Sequence, residues 1–145
     1  MISGTSAGFG RRLAALVYDA FLLAALLMIF TGGALFFTHG AAVVPATAGA
    51  WVYAYRAGLV LVVVGYYALN WLRSGQTLGM RAWRIRAVSA SGAPLTWEAA
   101  ILRASFGLLA WAPAGLGVLW LYLDPQRLAL HDRLSKTRVV YLAGP

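Results

Sequence analysis

The chain has 145 residues, of which 61% are hydrophobic and only 11% charged, against about 25% charged in ordinary soluble proteins. A mean hydropathy of +0.74 excludes a water-soluble domain and intrinsic disorder alike, and the lack of cysteine excludes disulfides, thiolate metal sites and cysteine nucleophiles. Twelve basic residues against four acids give a net charge of +8, which in so apolar a chain suits loops facing an anionic inner leaflet better than nucleic acid.

In chain order, residues 1–12 read as a cytoplasmic N-terminus and 13–37 as a first transmembrane helix interrupted only by Asp19. Arg11-Arg12 before an apolar run resembles a signal peptide, but the run is longer than the usual apolar region of one and contains an acid, which favours a retained helix. Residues 38–50 carry no charge, their one titratable side chain being His39, and read as an external loop. Residues 51–72 form a second span with its own ruler. Trp51, Tyr53 and Tyr55 mark one end and Tyr66, Tyr67 and Trp71 the other, about 30 Å apart along a helix, as two interfacial aromatic belts would be. Residues 73–98 are a basic cytoplasmic loop. Within it, Met80–Val88 is β-prone and Ser89–Gly92 is a turn signal. Residues 99–123 form a third apolar segment broken by Pro113, and 124–145 a cytoplasmic tail with a second β-prone run, Lys136–Leu142.

The expected fold is a single all-α membrane domain over 1–145. It has two transmembrane helices, a third segment and a small cytoplasmic two-stranded β element. The four basic residues after position 123 resist export, so the third segment reads as a re-entrant helical hairpin turning at Pro113 and Gly115, in preference to a kinked third span. Both termini are then cytoplasmic.

Charges inside apolar segments are costly and therefore informative. Arg12 and Asp19 are nearly two turns apart, on one face of the first helix. Arg56 lies near the outer end of its helix, too far in depth from Asp19, and is expected to snorkel outward. Arg103 enters from the inner side to a similar depth, so Asp19 and Arg103 are the expected intramembrane ion pair. Asp19 is also the one candidate proton or cation site. Asp132 is expected to pair with cytoplasmic arginines such as Arg12. His131 beside it suggests a dyad or metal site, but adjacent residues rarely aim side chains together, and no nucleophile motif or second spaced histidine accompanies them. No catalytic residue, metal or cofactor is expected. Arg81, Arg84 and Arg86, interleaved with Trp83 and Ile85, suit lipid headgroups or a partner.

The motifs resemble those of the RDD family of bacterial membrane proteins. The resemblance rests on Gly8-Phe9-Gly10-Arg11-Arg12-Leu13 leading to Asp19, on Gly75-Gln76-Thr77-Leu78-Gly79-Met80, on Gly92-Ala93-Pro94-Leu95-Thr96 followed by Arg103, and on Leu130-His131-Asp132-Arg133-Leu134-Ser135-Lys136-Thr137-Arg138-Val139-Val140. It implies that Arg12, Asp19 and Asp132 are the name-giving residues, with Asp124 as second choice for the last. It also implies an inner-membrane, multi-pass protein in a family whose members include proposed sodium/proton antiporters and accessory proteins of larger membrane systems. The expected function is a non-enzymatic accessory or assembly module that contacts the bilayer, anionic headgroups, and either further copies of itself or a membrane-protein partner. The alternative is an oligomeric monovalent cation/proton antiporter with Asp19 titrating.

Overall fold

The computed structural model describes residues 5–41, 43, 49–111, 120–125 and 128–142. Among the described residues, helix α1 (Phe9–Phe37) and helix α2 (Trp51–Ser74) are the two helices long and apolar enough to cross a membrane. At 29 and 24 residues they measure about 43 and 36 Å. Their outer faces are bare hydrocarbon: Phe21, Met28, Ile29, Phe36 and Phe37 are each more than 70% exposed. No water-soluble surface tolerates such a belt. The two helices pack closely because Gly58 lets α2 meet the Phe30 ring, and a Thr31–Tyr55 hydroxyl contact of 2.9 Å locks the register.

Gly75, in the left-handed region at φ +70°, ends α2. Thr77 then caps a one-turn helix, α3 (Leu78–Ala82), by accepting the Met80 N–H. Strand β1 (Ile85–Ser89) follows, then helix α4 (Trp97–Trp111), a 3₁₀ turn (Trp120–Tyr122), the short helix α5 (Leu130–Leu134) and strand β2 (Thr137–Tyr141). The strands pair antiparallel, Ile85 opposite Tyr141 and Ser89 opposite Thr137. The arm before α1 joins them: Ala7 N–H donates to Val139 O and Tyr141 N–H to Thr5 O, both at 2.9 Å. The buried core lies beneath this sheet, where Ala15, Trp71, Met80, Ile85, Ala104 and Val139 meet, rather than along the helix shafts.

Two expectations need correction, and a third falls partly outside the described residues. The first β-prone run begins as helix, because the Thr77 cap nucleates α3, and strand geometry starts only after Arg84 turns the chain at φ 51°. The inner aromatic belt is not a belt. Trp71 is only 8% exposed, its indole donates to the Met80 sulfur at 3.2 Å, and the Tyr66 hydroxyl turns inward to Asp19. Its aromatics are recruited to cover buried charge instead of facing headgroups. The third segment is helical through Trp111, about 22 Å in length. The expected turn at Pro113 and Gly115 and the basic Arg127 lie outside the described residues.

Candidate functional site

The face of α1 that carries Arg12, Ala15 and Asp19 is its buried face, at helical spacing i, i+3, i+7. Asp19 is 2% exposed. One of its oxygens accepts the Thr77 hydroxyl at 2.5 Å, and the other accepts the Gly79 N–H at 2.9 Å and the Tyr66 hydroxyl at 2.8 Å. The Gly-x-Thr-x-Gly stretch builds this recess position by position. Gly75 supplies the left-handed turn, Thr77 serves both α3 and Asp19, and Gly79 presses against α1. A Cβ on Gly79 would lie 2.1 Å from the Ala15 carbonyl oxygen. Asp19 is thus held by three hydrogen bonds, not by an arginine.

Arg103 goes elsewhere. Its guanidinium is 2.5 Å from one Asp132 oxygen, and it donates to the Thr137 hydroxyl and lies over the Trp71 ring at 4.9 Å. The other Asp132 oxygen takes Arg12 and the Ala129 N–H at 3.2 Å. Arg12 also donates to Ala7 O at 2.9 Å, which fixes the arm. The expected Asp19–Arg103 pair is therefore replaced by an Arg12–Asp132–Arg103 bridge. Helix α5 brings a carboxylate to Arg103 from across the fold, and Thr77 and Gly79 have already saturated Asp19.

His131 comes to this bridge after all, its Nε2 3.4 Å from Asp132. In a one-turn helix beneath the sheet both neighbours face inward, because Asp132 also caps the turn. Burial drives the His131 pKa down to about 4 against the pull of Asp132, and Arg103 and Arg12 lower it further, so the imidazole is neutral at pH 7. Burial alone would raise the Asp132 carboxyl, but Arg103 and Arg12 together outweigh it and hold it well below the usual carboxylate range. Two guanidiniums against one carboxylate leave one positive charge uncompensated in a buried site.

A cavity of about 330 Å³ opens beside the bridge. Its walls are apolar, with Leu16 and Leu23 from α1, Val63 from α2 and Leu108 from α4, while Arg12 and Arg103 lie at its polar end. Asp19 lines it too. Among the other predicted residues, Arg81 and Arg84 are exposed and Arg86 is half-buried on β1. Asp124 lies apart from the bridge, paired to Arg133 at 2.5 Å and accepting the Leu128 N–H at 3.0 Å. His39 is exposed at the far end of α1.

Sequence reasoning missed Thr77, Gly79 and Tyr66 as the holders of Asp19, and Thr137 as a partner of Arg103. The Gly-x-Thr-x-Gly spacing was a usable signal, since such a cap leaves N–H donors that call for an acceptor on the packed helix. A model of the RDD family matches residues 6–136 of the chain. No match was found among curated proteins or among solved structures.

Proposed function

This chain belongs to the RDD family, and from that premise we propose that it serves, without catalysis of its own, as an accessory or assembly module of a bacterial inner-membrane system. The observation that carries this reading is that both buried carboxylates are held by groups of the fold itself. Asp132 is clamped by two arginines and Asp19 by three donors, so both oxygens of each carboxylate are already engaged within the fold. Proton relays in membranes run through chains of titrating groups, and no third acid adjoins these two among the described residues. Pairing of β1 with β2 supports a third apolar segment that returns to the side it left, and the basic loops favour the cytoplasmic side for the sheet. Arg81, Arg84 and Arg86 then face headgroups or a partner, and the exposed shafts of α1 and α2 meet lipid, a second copy or a partner's helices.

Asp19 lines the cavity, and that observation keeps the second reading, an oligomeric monovalent cation/proton antiporter. Flux in proteoliposomes separates the two. The accessory reading expects no sodium-, potassium- or proton-coupled movement with the purified chain, and expects Asp19→Asn to lose stability. Flux that disappears in a stably folded Asp19→Asn protein would establish transport instead.

A further inference from the structure

The cavity between α1, α2 and α4 has an uncommon construction. Its walls are mostly hydrocarbon, and Arg12 and Arg103, 8% and 2% exposed, line it together with Asp19 and His131. Each arginine keeps a buried guanidinium nitrogen, Arg12 Nη2 and Arg103 Nε, without a hydrogen-bond partner among the described residues. Their one shared counterion, Asp132, balances only one of the two charges. The negative charge on Asp19 does not fill the deficit. It sits about two turns along α1, roughly 10 Å from Arg12, and its oxygens are committed to Thr77, Gly79 and Tyr66.

We propose that this cavity binds a single-chain anionic amphiphile, its monoanionic carboxylate or phosphate head against Arg12 and Arg103 and its acyl chain along the walls toward Leu23. A buried, unbalanced cation with spare donors is costly until an anion meets it, and guanidinium matches either oxyanion with paired hydrogen bonds. At about 30 Å³ for each water-sized group, the cavity holds about ten heavy atoms, which is a head and the start of an acyl chain. The helix faces around it are bare apolar surface, so the surrounding bilayer supplies the chain. A cationic head would meet only Asp19, whose oxygens are already committed to Thr77, Gly79 and Tyr66, and a neutral alcohol leaves the charge on the arginines unbalanced. The site is independent of the accessory reading and stands or falls without it.

Gly107 makes the test clean. It lines the cavity, and a Cβ placed on it meets nothing within 4 Å. Gly107→Leu therefore places its Cβ without a clash and directs added side-chain volume at the cavity, and leucine suits a helix better than glycine. The measurement is thermal unfolding of the full chain in an uncharged maltoside micelle, titrated with dodecanoate, monododecyl phosphate, dodecanol or dodecyltrimethylammonium. One or both acids should stabilise saturably, at least tenfold more tightly than the alcohol, and the cation should not bind. The tighter acid identifies the head group, a fatty acid or a lipid phosphate. Gly107→Leu should unfold no lower than the unliganded protein and weaken the acid's binding at least tenfold. Equal effects of acid and alcohol, no saturable effect of either acid, or undiminished binding by a folded Gly107→Leu protein would each overturn the site.

Discussion

Asp132→Asn should be the most damaging near-isosteric substitution in this chain. It keeps the shape of the side chain and removes one charge, at a position that is 0% exposed between Arg12 and Arg103. Stranding one buried partner of an ion pair costs about 3–5 kcal/mol. Here two guanidiniums lose their counterion and face each other, which places the loss near 5 kcal/mol, against a total of about 5–15 kcal/mol for a folded domain. Arg103→Gln should cost less, about 3 kcal/mol, because Asp132 retains Arg12 and the Ala129 N–H. The double variant removes one of the two stranded cations, so it should lose about 5 kcal/mol instead of the summed 8, a coupling of about 2–3 kcal/mol. By contrast, Asp19→Asn combined with Arg103→Gln should add within about 0.5 kcal/mol, since the two share no bonded partner. Equilibrium unfolding in mixed micelles, followed by tryptophan fluorescence, reads all of these. An Asp132→Asn protein weakened by less than about 1 kcal/mol, or coupling found in the Asp19–Arg103 cycle and absent from the Asp132–Arg103 cycle, would refute the bridge.

Gly79→Ala should cost several kcal/mol or abolish folded yield, because its Cβ would lie 2.1 Å from the Ala15 carbonyl; Gly10→Ala, whose Cβ meets nothing within 4 Å, should be tolerated in the same detergent-extraction assay. Acid should weaken the fold between pH 6.5 and 4. His131 is held neutral with its pKa lowered from 6.5 to about 4, so unfolding takes up a proton there and stability falls as pH drops, by about 3 kcal/mol across the window. His131→Gln should flatten that slope in unfolding curves recorded at successive pH values. Cysteines introduced into this cysteine-free chain at Ser91 and Lys136 should label from one side of the membrane and a cysteine at Ala41 from the other, when an impermeant thiol reagent is applied to intact cells and to inverted vesicles.

The two spans were legible because a run of about 20 apolar residues has few alternatives, and the strands because β-branched residues beside a Ser-Gly turn have a clear period. The site was half legible. Burial of Arg12, Asp19, Arg103 and Asp132 follows from charges set in apolar or motif context. The pairing of Asp132 with Arg12 follows from the motifs as well, whereas that of Arg103 does not, because depth along a helix says nothing about which carboxylate a distant loop delivers. Arg103 and Asp19 were matched by height, yet α5 carries Asp132 in from 29 positions further along. The donors that free Asp19 from any arginine are a threonine hydroxyl and a glycine N–H, groups that carry no charge to flag them. The aromatic ruler misled for a related reason. A tyrosine or tryptophan near a membrane surface is equally suited to cover a buried ion, and only the packed helices decide which it does.

The sequence separations within the bridge also set an order of events during synthesis. Asp19 meets its holders 47, 58 and 60 residues later, so its recess closes once the segment after α2 has emerged. Arg12 must wait 120 residues for Asp132, roughly ten seconds at about 5–20 residues per second. Throughout that interval the nascent first helix carries an unmatched guanidinium at its end, and Arg103, once made, is unmatched as well. Arrival of α5 and β2 gives both guanidiniums their one shared carboxylate and, in the same event, ties the N-terminal arm to the final strand. Ribosomes stalled before position 130 would therefore leave a chain with Arg12 and Arg103 bare and the clasp between its N-terminal arm and final strand open.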